Sequence, residues 1–305
     1  MKARTLRSPE RYERWALIGL LVFTVVAAGA YWNFALHPDR IPSTPAAMKF
    51  FAASFPLFAR LHIVLAALVL GYALAHRLGA RWLPALALVY ALSFLAEHVG
   101  TGYGFPFGPY GYTDLLGPKP GGRVPALIPL SWFLMAVPVW VLARRVHPGS
   151  RARRIALGAF LLTVWDLALD PAMSFLTSYW QWQAPGRYYG MPWTNLLGWY
   201  AVGLVIISAL DAIAARIRLE RLDARWSAAY YGVVLLMPLG MILAAGLWPA
   251  VAATAAGVGA GAWLTRGIWI ETGSAVSDAE VGPQDAVAEA DVQSHASHAE
   301  ALEAR

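Results

Sequence analysis

An apolar segment from Ile155 to Trp180 contains two aspartates, and few folded arrangements tolerate acids in such surroundings. The segment can cross a bilayer, since spanning takes about 20 residues at about 1.5 Å of helix rise each. Asp166 and Asp170 are four residues apart, so they share one face of a helix. Pro171 lacks the N–H that a helix needs and is predicted to bend or end the helix there. A carboxylate in hydrocarbon is costly, so the pair indicates a functional site inside a membrane helix.

The remainder of the chain also consists of apolar runs separated by polar loops. Hydrophobic residues make up 58% of the 305 residues and charged residues 14%, a composition too apolar for a soluble domain. The first run follows a basic stretch, as in a signal peptide, but its length and the lack of a clear cleavage site favour a retained span. Only Pro249 and its neighbours separate the last two runs, so seven spans with a re-entrant hairpin is the alternative count. We predict an all-α, polytopic membrane helical bundle of about eight transmembrane helices: 15–36, 57–76, 82–99, 125–143, 155–180, 195–215, 227–247 and 249–265.

Charge is divided unevenly along the chain. Residues 1–270 carry 23 Lys/Arg and 10 Asp/Glu, whereas residues 271–305 carry 8 acids and one Arg. With the N-terminus inside, 17 of the Lys/Arg in residues 1–270 fall on the inner side and six on the outer side, which places both termini in the cytoplasm. These charges lie between spans, so they do not indicate a nucleic-acid partner. The predicted organisation is a basic N-terminus (1–14), a transmembrane domain (15–265) and an acidic, Ala-rich disordered tail (271–305).

Two loops on the predicted outer side are long, aromatic and rich in Gly and Pro, at 100–122 and 179–195. An aromatic belt at the headgroup level is one interpretation of these rings. A belt does not require the dense Gly and Pro, which fix specific turns. The pattern therefore indicates that these loops form a cap that covers a functional site.

Helix rise estimates the depth of each acid. Asp166 lies about 16 Å from the inner edge of its span, and Asp170 and Glu97 lie about 22 Å in. Glu97, His98 and Asp170 are therefore expected to meet at one level beneath the aromatic loops. Desolvation and mutual repulsion should leave at least one carboxyl protonated near neutral pH. The alternatives are structural: an interfacial helix end at Glu97 and His98, a bend at Asp170, and a buried partner for Asp166.

Other polar groups and motifs give weaker signals. His62 is interpreted as a packed core histidine or a proton relay, and Asp211 as an interfacial acid beside Arg216 and Arg218. Gly257 to Gly261 lacks the preceding strand of a dinucleotide site and is typical of close helix packing. No pair of His has the short helical spacing of a membrane di-iron enzyme, and there is no Cys for thiolate chemistry, cysteine metal sites or disulfides. The chemistry that remains possible is acid–base or simple metal-assisted chemistry on a membrane-dissolved substrate.

Several short motifs occur together within residues 60–265. They are Glu97-His98-Val99-Gly100, Gly108-Pro109-Tyr110-Gly111-Tyr112-Thr113, Val124-Pro125 with Ile128-Pro129-Leu130-Ser131-Trp132, Asp166 to Pro171, Trp180-Gln181-Trp182, Tyr188-Tyr189-Gly190-Met191-Pro192 and Asn195-Leu196-Leu197-Gly198-Trp199. As a set they resemble the CruF-type carotenoid 1,2-hydratase family, which includes the haloarchaeal bisanhydrobacterioruberin hydratases.

The resemblance implies an enzyme of carotenoid biosynthesis that adds water across the terminal C1=C2 bond of an acyclic ψ-end, as in lycopene, γ-carotene or C50 substrates. The product is a tertiary alcohol, and no cofactor or metal is needed. The expected partners are membrane-dissolved carotenoid, water and other carotenoid-pathway enzymes, and the expected location is the bacterial cytoplasmic membrane.

The candidate roles come from depth and chemistry. Asp166 or Asp170 would protonate C2, and Glu97 and His98 would hold the attacking water. Rings stabilise the intervening cation through their electron-rich faces. The candidate substrate-binding residues are Tyr110, Tyr112, Trp132, Trp165, Trp182, Tyr189, Asn195 and Trp199.

Three other functions are compatible with these residues. Asp166 and Asp170 have the spacing of half a diphosphate–magnesium site, as in a membrane prenyltransferase, but no second Asp-rich motif is present. A lycopene cyclase would share the protonation step. A non-enzymatic pigment carrier or proton-coupled transporter would use Asp166 as a relay, although no inverted repeat is visible.

Overall fold

The structure, a computed structural model, describes residues 8–184 and 186–266. This part of the chain contains eight α-helices: α1 (Ser8–Ala30), α2 (Pro45–Leu78), α3 (Leu83–Tyr103), α4 (Leu127–Val146), α5 (Arg151–Asp170), α6 (Trp193–Ile217), α7 (Ala224–Ala244) and α8 (Trp248–Thr265). The chain divides into a unit Met1–Gly261 and a unit Ala262–Arg305. The described part of the second unit is the last turn of α8 and Arg266. The predicted acidic tail at 271–305 lies outside the described residues.

The helices have the length and composition of membrane spans. Six helical segments of the described chain are long and apolar enough to cross a bilayer, and one of these, Pro45–Tyr103, contains both α2 and α3. The predicted all-α polytopic bundle is confirmed. α8 does not belong to the six segments, and the choice between seven and eight crossings stays a prediction.

Three predicted helix boundaries are wrong, and the first is the start of α1, which lies at Ser8 rather than near 15. α2 begins at Pro45 rather than near 57, because Thr44 caps the helix by accepting from the Ala47 N–H and proline is tolerated in the first turn. The span predicted at 155–180 ends as an α-helix at Asp170. Pro171 then begins a single π-helical turn, Pro171–Phe175, as the missing proline N–H predicts.

The centre of the bundle is α4, which is buried from Trp132 to Ala143. α5 packs against α4, α6 and α7. Small residues allow the close approach of α5 to its neighbours: a Cβ on Gly203 would lie 3.2 Å from the Ala159 Cα, and one on Gly257 would lie 2.9 Å from a Val164 methyl. The predicted close-packing role of the glycines in α8 is confirmed for Gly257.

The Gly203→Val substitution is expected to destabilise the bundle by about 1–3 kcal/mol, because the added methyl groups meet the α5 backbone. Thermal unfolding in detergent, monitored by size-exclusion chromatography, measures the loss of stability. The matched control is Gly232→Val on α7, where an added Cβ meets nothing within 4 Å. Equal melting temperatures for the two variants would contradict this packing.

Two polar groups away from the acid pair are satisfied inside the bundle. His62 is buried, with its Nε2 3.1 Å from the Thr24 hydroxyl on α1. Asp211 accepts from Arg154 at 2.5 Å and lies 3.3 Å from Arg151. The predicted partners of Asp211, Arg216 and Arg218, are replaced by cations from α5 because α5 packs laterally on α6.

Candidate functional site

Two short strands form a ribbon between the helices. β1 (Tyr110–Tyr112) pairs antiparallel with β2 (Trp180–Trp182), with Tyr110 opposite Trp182 and Tyr112 opposite Trp180. Residues two apart in a strand point to the same face. Two phenols and two indoles therefore project from one face of the ribbon. The predicted aromatic loops are thus organised as a small β-ribbon.

The phenols of β1 bind the Glu97 carboxylate. Glu97 lies on α3, is 3% exposed and accepts from the Tyr110 and Tyr112 hydroxyls, the latter at 2.7 Å. The indole N–H of Trp132 on α4 donates to the other carboxylate oxygen at 2.9 Å. Burial, with the charge of Glu97 adding to it, raises the pKa of Tyr110 and of Tyr112 well above its ordinary value. Both phenols therefore stay protonated and able to donate.

The indoles of β2 bind the second acid. Asp170 accepts from Trp180 Nε1 at 2.7 Å and from Trp182 Nε1 at 3.2 Å, one on each carboxylate oxygen. The Ser174 hydroxyl lies 3.2 Å from Oδ2 and 2.9 Å from the Asp170 backbone carbonyl. A hydroxyl has one hydrogen and can also accept, so a serine that donates to the carbonyl can accept from a protonated Asp170.

The proline after Asp170 explains a further contact. Pro171 cannot donate to the Leu167 carbonyl four residues earlier. The Tyr188 hydroxyl, from the loop after β2, donates to that carbonyl at 2.7 Å. The helix end that carries Asp170 is thus tied to the loop that follows β2, and β2 supplies its indole donors.

The third acid lies one turn earlier on α5. Asp166 is 1% exposed and accepts from Asn195 Nδ2 on α6 at 2.8 Å, while its other oxygen has no hydrogen-bond partner among the described residues. A buried carboxyl oxygen is rarely left in this state. Asp166 therefore has far fewer donors than Glu97 or Asp170.

One cavity joins the carboxylates of two helices. It has a volume of about 30 Å³, and a cavity needs roughly 10–15 Å³ by this measure to hold a water, so it has room for about two. Among the described residues, no Lys, Arg or His lines it. We call it the acid cavity; its lining consists of Glu97, Phe107, Tyr110, Tyr112, Ile128, Ser131, Trp132, Leu169, Asp170, Trp180, Trp182, Asn195 and Trp199.

Stacked rings form much of the wall. Trp132 and Trp199 stack with centroids 4.0 Å apart and planes at 15°, and Tyr110 and Trp182 lie 5.1 Å apart. Such rings present electron-rich faces that attract positive charge. The acid cavity can therefore hold a water and favour a nearby cation.

Most of the residues predicted from the sequence meet at the acid cavity. Those that line it are Glu97, Asp170, Tyr110, Tyr112, Trp132, Trp182, Asn195 and Trp199. Asp166 reaches it only through Asn195. Trp165 lines the apolar pocket next to it.

Two other candidates point elsewhere. His98 stacks on Phe94 at 5.8 Å, and its Nδ1 is buried without a partner. Adjacent residues on a helix face different directions, so His98 does not follow Glu97 into the cavity. Tyr189 packs against Phe175 and Tyr188.

Sequence reasoning missed three contributors: Trp180 and Ser174, which contact Asp170, and Phe107 in the cavity wall. The alternation Trp180-Gln181-Trp182 was an available signal, because in a strand it places both indoles on one face. Ser174, four residues after Asp170, shares its helical face. Nothing in the local sequence distinguishes Phe107 from the other aromatic loop residues.

Comparison with known proteins adds independent evidence. Residues 58–260 match the carotenoid biosynthesis protein family. The chain belongs to this family. The match covers α3 to α7 in full, with both strands, and therefore every residue of the acid cavity.

A member with a named activity is also similar. The chain is 33% identical over 131 residues to a bisanhydrobacterioruberin hydratase from Haloarcula japonica, covering 42% of this chain and 44% of that protein. The chain thus matches less than half the length of this relative. No solved structure matches the chain.

Proposed function

We propose that this member of the carotenoid biosynthesis family hydrates the terminal C1=C2 bond of an acyclic ψ-end carotenoid, giving a tertiary 1-hydroxy carotenoid. Three observations support the proposal: the family, the hydratase relative, and a small cavity lined by two buried acids and by stacked rings. The cavity is the observation on which the proposal chiefly rests. Water addition to an alkene needs a proton donor, a water and a base within one enclosure.

Asp170 is proposed as the general acid. A protonated Asp170 gives its proton to C2, the C1=C2 π electrons form the new C–H bond, and a tertiary cation remains at C1. Trp132, Trp199 and the neighbouring rings stabilise this cation through their faces. Ser174 provides the partner that a protonated Asp170 needs between turnovers.

Glu97 is proposed as the base. A water in the acid cavity adds through its oxygen to C1 while Glu97 takes a water proton, so the net change is one water added. The phenols and the Trp132 indole hold the carboxylate facing the cavity. The proton then returns to Asp170, which restores the starting state.

The other two polar candidates act through their neighbours. Asp166 orients the Asn195 amide, which lines the cavity, so we treat both as positioning groups. His98 has no contact with the cavity and is assigned no role. In this proposal the substrate arrives dissolved in the bacterial cytoplasmic membrane, where other carotenoid-pathway enzymes supply it.

Expression in a lycopene-producing host tests the proposal. Pigments that gain the mass of one water support hydration, whereas a ring product of unchanged mass indicates a cyclase. Detergent-solubilised protein that converts lycopene without an ion gradient separates an enzyme from a transporter. Absence of any hydrated pigment from lycopene, γ-carotene and C50 substrates would overturn the proposal.

The Tyr112→Phe variant is expected to lower hydration about 10-fold. It removes one donor to Glu97 while keeping the ring, and a hydrogen bond to a charged group contributes about 1.5–3 kcal/mol. Initial rates in membranes of equal protein content measure the change. Tyr200→Phe, an exposed tyrosine on α6, is the matched control and should keep the wild-type rate. Equal rates for both variants would remove Tyr112 from the site.

A further inference from the structure

Two apolar pockets continue from the acid cavity. The first, of about 60 Å³, shares Ile128, Ser131, Leu169 and Trp180 with the acid cavity. The second, of about 310 Å³, shares Ala59, Met173 and Met237 with the first. The shared residues place the three spaces next to one another, and we call the two apolar ones the lane.

The outer part of the lane lies between α1, α2 and the loop after α5. Its ring-bearing lining consists of Tyr31, Phe34, Phe50, Phe51, Phe55 and Phe58, with Tyr179 from the loop. Phe50 is 66% exposed, so the lane opens at the surface near the start of α2. On α2 the lining runs from Phe50 to Ala66, 16 residues or about 24 Å of helix.

Several polar groups of the lane are already hydrogen-bonded. Thr24 donates its only hydroxyl hydrogen to the Leu20 carbonyl, so His62 Nε2 is the donor in the His62–Thr24 contact. Ser54 donates to the Phe50 carbonyl, and Tyr179 to the Phe55 carbonyl. Among the described lane residues, Trp165 keeps a buried indole N–H without a hydrogen-bond partner. Rings and methyl groups make up most of the remaining lining, which suits a hydrocarbon.

We propose that the lane binds the polyene part of the substrate and directs its end group toward the acid cavity. This inference rests on the proposed function. The acid cavity has room for only about two waters, so the remainder of a long carotenoid must lie in a space continuous with it. The lane adjoins the acid cavity through shared wall residues, and aromatic side chains bind a flat conjugated chain without polar contacts.

Blocking the junction of the two pockets should stop long substrates. Ala59 is 8% exposed and lines both pockets, and the Ala59→Trp variant is expected to lower lycopene hydration at least 10-fold. The matched control is Ala53→Trp, an exposed position on the same helix that lines neither pocket. A monodisperse peak in size-exclusion chromatography shows whether the blocked variant is folded.

A labelling experiment tests occupancy without using activity. The natural chain has no cysteine, so a single introduced thiol is the only one present. Ser54→Cys places it in the lane and Ala53→Cys places it on the neighbouring exposed face. Lycopene in detergent micelles is expected to slow N-ethylmaleimide labelling at position 54 several-fold and to leave position 53 unchanged.

The outcomes separate the two proposals. Protection of position 54 alone supports the lane even if no hydrated pigment is found, in which case only the proposed function fails. Equal labelling rates at position 54 with and without lycopene, or equal protection at both positions, overturn the lane. Wild-type lycopene hydration by a folded Ala59→Trp protein also overturns it. If that variant does not fold, the labelling result alone decides.

Discussion

The Asp170→Asn variant is expected to lower hydration of a ψ-end carotenoid by at least about 100-fold, since a positioned general acid contributes roughly 10²–10⁴-fold. The substitution keeps the size of the side chain and removes its acidic proton. Asn can still accept from the Trp180 indole, but its amide nitrogen cannot accept from Trp182. Pigment mass analysis in a lycopene-producing host measures the loss.

Two further variants make this result specific. Asp114→Asn changes an exposed aspartate in the loop before α4 and should keep the wild-type product level. Asp166→Asn tests the other acid of α5, which contacts Asn195 rather than the cavity, and should cost less than Asp170→Asn. Full product from Asp170→Asn together with loss of product from Asp166→Asn would transfer the acid role to Asp166.

Glu97→Gln is expected to lower the hydrated product by at least about 100-fold through a different step. The acid remains, so C2 is still protonated, but no base accepts a proton from the attacking water. The C1 cation then loses a proton from a neighbouring carbon to the Asp170 carboxylate and returns to an alkene. In D2O this cycle should place deuterium in the end group of recovered pigment without any gain of water.

Deuterium thus distinguishes the two carboxyls. Asp170→Asn should give neither deuterium nor hydrated product, because the first proton transfer fails. Glu220→Gln, at an exposed glutamate in the turn before α7, is the control for the Glu97 change and should hydrate normally. Unlabelled pigment from Glu97→Gln, with no product, would show that Glu97 is needed before protonation rather than after it.

The helices could be read from the sequence with good fidelity, and their ends less well. Apolar runs predict membrane helices because their backbone groups must be bonded internally in lipid. The end of α5 was also predictable, since Pro171 cannot continue the helix ladder. The start of α2 was missed, although Thr44 followed by Pro45 has the residue types of a helix N-cap and first turn.

Depth along a helix was predictable, and direction around it was not. The rise per residue placed Glu97 and Asp170 at one level, and both line the acid cavity. The same argument placed His98 there, yet its ring stacks on Phe94 outside the cavity. The depth of a residue in the membrane is set by its own helix. The side of the helix that faces a site depends on which neighbours the helix packs against.

By itself, the sequence determined a membrane bundle of apolar helices and the presence of acids within it, because bilayer thickness and helix rise leave little freedom in that dimension. Only the tertiary structure decided that β1 brings phenols to Glu97 and β2 brings indoles to Asp170. That pairing joins segments about 70 residues apart. Its register follows from packing and hydrogen bonds between them, which no local pattern encodes.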